Sequence, residues 1–455
     1  MDVRRESPPL RIRQVIVRGN KRTSPEIFEH ELQAAYAASS FAGVAESLNH
    51  AAEELRNLSI FESVDILIDT APGGNRNEAD VTITVKELGM ASVYAGVNSD
   101  GHEGTANTTC TLTNPLGHAE RIELSASHGQ FGSDTQKASY HKPKFLGLPV
   151  WLNANAVNEV LNHDRFSSYH ERFRGGTVSL TDDESRHELA LNLGWRDIVP
   201  VRNKKIPSTY AASPSIMAEA EPSTKSSIKY VYNDDQRNDA ALPTAGRLLR
   251  TSMEVAGLWG DVNFVKGEVE VQRHYPIGPV AYNHPILNLS LSSRVGAVKS
   301  YGADRHQPAR ISDRFFLGGP LTLRGFNHKG VGSRGANPDD GGVATGDALG
   351  GEFYYSACAS LGFPFPLPLL ASTPIDLGCP RPCFCNAGSL MSWDRVLDER
   401  AWMKNLLSET RAAAGVGVVM GTRFGRFEAN YSWVLKSLAG DRVKRAQLGL
   451  GLHFI

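Results

Sequence analysis

Several signatures of common protein classes are missing from this sequence. No run of about 20 apolar residues occurs in its 455 residues, which excludes a transmembrane helix. Charge of neither sign prevails: 48 Lys and Arg stand against 49 Asp and Glu, leaving a formal net charge of −1. A nucleic-acid protein would carry a basic surplus, so no nucleic-acid partner is expected. Cysteine is scarce, five in all, and an odd number does not build a disulfide scaffold. The start, Met1 to Arg13, has arginine but no apolar stretch of signal-peptide length, and Pro8 and Pro9 interrupt it. A bacterial outer-membrane precursor would need such a leader, so a mature or an organellar chain is expected. A membrane barrel survives all these exclusions, because its strands alternate and are only moderately apolar on average.

What is present divides unequally. Residues 1–9 read as a short tail and residues 10–88 as a small α+β module. Arg11–Val17 is a strand pattern with Ile12, Val15 and Val17 apolar, closed by the turn pair Gly19-Asn20. Ser24 is placed to cap a helix that opens on Pro25 with Glu26 and Glu29 near its start. Ile27, Phe28, Leu32 and Tyr36 follow near helical spacing. A second helix carries Val44, Leu48, Ala51, Ala52, Leu55 and Leu58 on one stripe. Two alternating stretches close the module, Val64, Ile66 and Ile68, then Val81, Ile83 and Val85.

From about Met90 the helical signal nearly vanishes and period-two alternation takes over. Leu189, Leu191, Leu193 and Trp195 oppose Glu188, Asn192 and Arg196; Phe427, Ala429, Tyr431 and Trp433 oppose Glu428, Asn430 and Ser432. The last strand sets Leu448, Leu450, Leu452 and Phe454 against Gln447, Gly449, Gly451 and His453. A Leu- and aromatic-rich face against a polar, glycine-rich one fits lipid outside and a lumen inside. Residues 89–455 are therefore read as a transmembrane β-barrel. About sixteen antiparallel strands, at roughly 23 residues per strand and connection, would use them up. Asn203–Ser227, Lys329–Gly346 and Ser392–Arg411 read as long loops, the last with a helical stretch near Trp402, Leu406 and Leu407.

Specific motifs then enter. The run from Asp313 to Phe326, with Leu323, Arg324, Gly325 and Phe326 at its core, resembles the hallmark loop of the outer-membrane-protein assembly superfamily. Gly346–Glu352 and Phe384–Gly388 look like companion motifs, Asn114–Glu120 like an early hairpin, and Asp235–Gly246 like a mid-barrel turn of that group. The module at 10–88 resembles a single POTRA domain. Within the superfamily the chain looks most like the barrel subunit of the mitochondrial sorting and assembly machinery. The resemblance implies an insertase for β-barrel precursors in the mitochondrial outer membrane, with its POTRA domain in the intermembrane space. Membrane lipid, client precursors and accessory subunits would be its partners.

The resemblance would place the acceptors of Arg324 at Glu352 and Asn386, let Gly325 pass close to the wall, and use Phe326 as an anchor. The bacterial pattern has Asp where Asn386 stands, so no salt bridge is expected there. A lateral gate would lie between a first strand of Ala91, Ser92, Val93, Tyr94, Ala95, Gly96, Val97 and Asn98 and a last strand ending in Gln447, Gly449, Leu452 and Phe454. Glycines weaken such a pairing. The terminal series Gln447, Gly449, Leu452 and Phe454 also matches the family's barrel-sorting signal.

Blander readings stand beside these. Arg324 can be a structural residue alone. Cys379, Cys383 and Cys385 have no fourth ligand at zinc-like spacing, and alternation sends Cys383 and Cys385 away from Phe384 and Asn386. Gly330–Gly335 matches a dinucleotide fingerprint, but no strand precedes it and Pro338 follows. No metal, no cofactor and no enzymatic activity are expected. Two other functions remain open: a passive solute pore, and a polypeptide translocation channel of the same superfamily.

Overall fold

The computed structural model describes residues 8–70, 77–99, 103–201, 212–240, 242–281, 284–302, 307–336, 346–362, 383–396, 402–422 and 425–451. These form two compact units. The first comprises the chain up to Tyr94 with Thr109–Leu124 and Ala138–Ala154; the second comprises Ala95–Thr108, Ser125–Lys137 and everything from Asn155.

The first unit opens with β1 (Arg11–Arg18), α1 (Pro25–Ala37), α2 (Phe41–Asn57), β2 (Phe61–Thr70) and β3 (Glu78–Glu87). The three strands make one sheet in the order β1-β3-β2, with β1 parallel and β2 antiparallel to β3. Val81, Ile83 and Val85 point from this sheet into a core with Phe28, Leu32, Val44, Leu48 and Leu55, all buried. Pro25 at the start of α1 is pre-set for helix, as expected. Two details differ from the sequence reading. The Ser24 side chain makes no capping bond; its backbone N–H instead donates to the Gly117 carbonyl at 2.8 Å. Tyr36 is 51% exposed, since the stripe of α1 runs through Phe28, Leu32 and Ala35.

Two hairpin turns complete this unit. The Asn114–Glu120 turn is tied by its own ends: Asn114 Oδ1 accepts from Ala119 N–H at 2.9 Å, and the Glu120 carboxylate accepts from Leu116 and His118 N–H. Asn114 Nδ2 then donates to the Thr23 hydroxyl at 2.9 Å. Gly117, at φ +89°, lies where a Cβ would stand 2.5 Å from the Arg22 carbonyl, so no other residue fits. From the second turn, Lys144 Nζ donates to Glu31 at 2.6 Å and to Glu54 at 2.8 Å. Glu87 joins strand to loop. It accepts from the Thr23 and Arg22 N–H groups at 2.9 and 3.0 Å, and from the Thr23 hydroxyl at 2.7 Å.

Among the described residues the large sheet has sixteen strands. They are β4 (Ala91–Ser99), β5 (Gly104–Thr113), β6 (Arg121–Gly129), β7 (Asp134–Lys142) and β8 (Val150–Asn162). Then come β9 (Tyr169–Asp182), β10 (His187–Pro200), β11 (Ser223–Asp235), β12 (Gly246–Ala256), β13 (Phe264–Ala281) and β14 (His284–Ser300). After a two-stranded excursion, β15 (Ser333–Arg334) and β16 (Ala348–Gly350), the sheet resumes. Its last members are β17 (Phe353–Gly362), β18 (Cys383–Met391), β19 (Arg411–Thr422), β20 (Gly425–Lys436) and β21 (Ala446–Gly451). Neighbours follow chain order, with β14 beside β17, and the pairs from β9 to β21 are antiparallel. Among the described residues, no helix is long and apolar enough to cross a membrane.

The two faces are reversed relative to a water-soluble protein. Leu189, Leu191, Leu193, Trp195, Leu291, Tyr431 and Trp433 are exposed. On the opposite face Asn288, Ser290, Glu428, Asn430 and Ser432 are buried. Large apolar groups outside and polar groups inside are stable only if the surroundings are apolar. The expected loop Asn203–Ser227 is shorter than its composition implied. A helix, α3 (Pro214–Ala218), forms within it, and β11 already begins at Ser223. Ser227, opposite Asn192, is buried on the polar face, and Ser226, opposite Leu193, is buried where its hydroxyl meets Trp259; alternation of apolar residues gives no signal at either. The helical stretch near Trp402 is present as α5 (Trp402–Ser408), after the short α4 (Trp393–Val396).

Burial alone would raise the Glu87 carboxyl, but the N–H groups of Thr23 and Arg22 and their side chains outweigh it and hold the group at about 2. A depressed carboxyl contributes stability above its unfolded value, lost as pH falls through the folded one. Module stability, followed by amide exchange in the full chain, should stay flat above about pH 4.5 and fall between there and about pH 2. Glu87→Ala should cost about 2 kcal/mol at neutral pH and weaken that dependence, leaving the share of Glu54, which Lys144 also holds below the usual carboxylate range.

Candidate functional site

The chain between β14 and β17 leaves the sheet and folds back over its polar face. Its near end is fixed first. Asp313 is buried, and Arg196 of β10 grips it through two hydrogen bonds of 3.0 and 2.8 Å. Lys225 of β11 adds a third at 3.2 Å, and Lys266 of β13 donates to the Asp313 carbonyl at 2.9 Å. Arg314 reaches Glu219, just beyond α3, at 2.6 Å. Such a buried carboxylate is tolerable only with cations and donors around it.

The far end carries Leu323, Arg324, Gly325 and Phe326. Leu323 and Phe326 are fully buried, in a cluster with Leu317, Phe315, Val331, Tyr354 and Ala413. Arg324 lies between them and points to the sheet. Its Nε and Nη2 donate to one oxygen, Glu428 Oε1, at 2.8 and 2.6 Å. That oxygen also accepts from Asn430 Nδ2 at 2.7 Å. Arg324 Nη1 donates to the Cys358 sulfur at 3.4 Å, and the guanidinium lies 4.9 Å from the centre of the Phe384 ring. Gly325 has φ +92°, and a Cβ there would stand 3.0–3.3 Å from Ala413, Val434 and Ser432. The backbone can approach the sheet this closely only as glycine.

The two residues expected to receive Arg324 do other work. Glu352 is buried but accepts from the Ala309 N–H at 3.0 Å and the Trp393 N–H at 3.3 Å. Asn386 is close, yet it donates rather than accepts: its Nδ2 meets the Arg324 carbonyl at 3.1 Å. The guanidinium goes instead to Glu428, two strands beyond Asn386, because a full carboxylate compensates a buried cation better than an amide. The signal for Glu428 was present in the alternation of β20, where it is the carboxylate on the polar side.

The strands expected at a gate occupy the two ends of the sheet order, β4 and β21. Ala91, Ser92, Val93, Tyr94, Ala95, Gly96, Val97 and Asn98 all lie in β4, with Val93 72% and Val97 60% exposed. Gln447 and Gly449 lie in β21; Leu452 and Phe454 fall outside the described residues. Among the described residues no ladder joins β4 to β21. Cys383 and Cys385 are exposed on the face opposite Phe384 and Asn386.

The profile of the Omp85 superfamily domain matches residues 114–454. A SAM50-like protein of Schizosaccharomyces pombe is 30% identical over 98% of this chain and 91% of its own length. The proteins called sorting and assembly machinery component 50 homolog in Bos taurus and Homo sapiens are 29% and 28% identical, each over 99% of this chain and 92% of theirs. BamA from Haemophilus ducreyi lacking POTRA domains 1-3 superposes with a TM-score of 0.77 at 19% identity, covering 96% of this chain and 84% of that one. CdiB from Acinetobacter baumannii gives 0.52 at 13%, covering 98% and 74%.

If the Arg324–Glu428 pair holds the loop, Arg324→Met should cost about 3–5 kcal/mol by leaving a buried charge unpaired. Arg324→Lys should fall between, since a point charge cannot make the forked contact. Thermal denaturation in detergent should give that order, with Arg324→Met/Glu428→Met recovering part of the loss. A double variant no more stable than Arg324→Met would show that the pair is not what holds the loop.

Proposed function

The chain belongs to the Omp85 superfamily, and from that premise we propose that it inserts β-barrel precursors into the mitochondrial outer membrane. The observation that carries this reading is the inward loop. A polar face enclosed by an apolar exterior would make an open pore, but here the loop from Asp313 to Val331 lies across it, pinned at Asp313 and Arg324. A passive pore does not need that occupant, and would instead favour rings of charge setting its selectivity. The relatives' name, a component of a sorting and assembly machinery, points the same way.

In this reading the sixteen strands close into a barrel through β4 and β21, and that junction is its lateral gate. The activity is non-enzymatic and consists of strand pairing. A precursor strand entering hydrocarbon alone would expose unpaired N–H and C=O groups at several kcal/mol each. Pairing with the free edge of β4 satisfies one side of it by β-augmentation, and successive hairpins follow. Gly96 in β4 and Gly449 in β21 keep the native junction weak. Ala91 to Asn98 on one side, and Gln447, Gly449, Leu452 and Phe454 on the other, are the residues assigned to it. The module at 10–88, with its β-α-α-β-β order and β1-β3-β2 sheet, is assigned as a single POTRA domain facing the intermembrane space. Lipid surrounds the apolar face, and accessory subunits complete the machinery.

Replacing the host's own relative with this chain, then following newly imported porin in isolated mitochondria, tests the assignment. Porin should reach its membrane-integrated form with this chain present and stall when it is depleted, while matrix import is initially intact. Normal porin assembly on depletion, together with lowered small-solute permeability, would install the passive pore instead.

A further inference from the structure

Gln447 stands on β21 with its side chain on the polar face, 4% exposed and opposite Asn430 of β20. Its amide makes two hydrogen bonds to the loop backbone. The Gly325 N–H donates to Oε1 at 3.0 Å, and Nε2 donates to the Phe326 carbonyl at 2.6 Å. The amide does both from one side-chain end, whereas a carboxylate has no donor at neutral pH and an ammonium has no acceptor. One partner is an N–H and the other a C=O, so the orientation of the amide is fixed by its surroundings.

The residues leading into β21 are joined to the same stretch of loop. Lys444 N–H donates to the Gly325 carbonyl at 2.9 Å, Asn327 N–H to Arg442 at 2.8 Å, and Arg442 N–H to Gly330 at 2.8 Å. Asp441, at the foot of this segment, is held by Arg411 at 3.0 and 3.2 Å and by the Leu438 N–H at 2.7 Å. Gly449 faces Pro320, whose carbons stand 3.6 Å from where a Cβ would be. Consecutive loop residues therefore address different strands: Arg324 holds β20 through Glu428, while Gly325 and Phe326 hold β21 through Gln447.

We propose that the Gln447 amide couples the inward loop to the last strand, making it a positioning residue for opening of the gate. This rests on the insertase reading. Among the described residues β21 has a ladder only with β20, and that ladder is six residues long. The loop supplies a second set of bonds. When β21 swings away from β4 to admit a client strand, it must either carry the loop from Arg324 or part from it at Gly325. The clamp sets how readily that separation occurs.

The test uses the full chain in membranes. Gln447→Ser keeps a polar residue at the sorting-signal position but is too short to reach both partners. Gln447→Met keeps the length without the polarity, and Gln447→Glu keeps only the acceptor. Amide exchange across residues 321–330 should quicken about 10- to 100-fold in the Ser and Met variants, as loss of two ordinary hydrogen bonds predicts, and less in the Glu variant. Residues 428–434 of β20 should exchange at the wild-type rate. A porin precursor should crosslink to a cysteine placed at Ala95 at least threefold faster in the Ser variant. Unchanged exchange in both the Ser and Met variants overturns the coupling, and faster exchange with unchanged crosslinking overturns the positioning role. Failure of the wild-type chain to crosslink porin at all would remove the insertase reading instead.

Discussion

A guanidinium on a loop that folds back over its own sheet must find its acceptors there, because the water that would solvate it is largely displaced. Glu428 answers that requirement, and the surrounding residues are arranged to let it. Asn430 donates to the oxygen that Arg324 uses, Phe384 offers a ring face, and Asn386 occupies the Arg324 carbonyl. Leu323 and Phe326 flank the arginine in sequence and are buried beside it. The ion pair and the apolar packing thus fix each other. A shift of the loop would strand the charge, and loss of the charge pair would leave Leu323 and Phe326 poorly seated.

Much of the fold is legible in the amino-acid sequence. Strand alternation in Leu189–Trp195 and Phe427–Trp433 marks which face is apolar, because one face of a half-buried strand repeats every second residue. The helical stripe from Val44 to Leu58 marks the core of the module for the same kind of reason. The partner of Arg324 is not legible. A cross-sheet ion pair between residues more than a hundred positions apart depends on strand register, which alternation does not number. Motif likeness points to Glu352 and Asn386, and the geometry assigns them to the Ala309 and Trp393 amides and to the Arg324 carbonyl. Ser24 fails as a cap for a related reason: the Asn114–Glu120 turn, far away in sequence, claims that part of the chain.

The first unit shows how a small module is given a fixed attitude toward the hairpins in the same unit. Thr23 receives Asn114, Ser24 donates to Gly117, and Lys144 crosses to Glu31 on α1 and Glu54 on α2. These contacts involve two separate turns and both helices, so the module cannot pivot about one of them without straining the other. Burial lowers the Lys144 ammonium's affinity for its proton, but the two carboxylates more than restore it and raise the group above its ordinary value. The joint therefore keeps its charge throughout the neutral range.

The amide of Gln447 has a consequence for how the sheet is completed. Side chains alternate along a strand, so sliding β21 by a single residue against β20 would turn Gln447 outward and bring Ala446 or Leu448 over Gly325. Neither can bond the loop backbone; two residues along in one direction stands Gly449, with nothing to offer, and in the other Arg445, which can donate but not accept. The loop can settle fully only against a correctly threaded final strand. It works as a gauge that the finished molecule carries inside itself, rejecting slipped versions of its own closure.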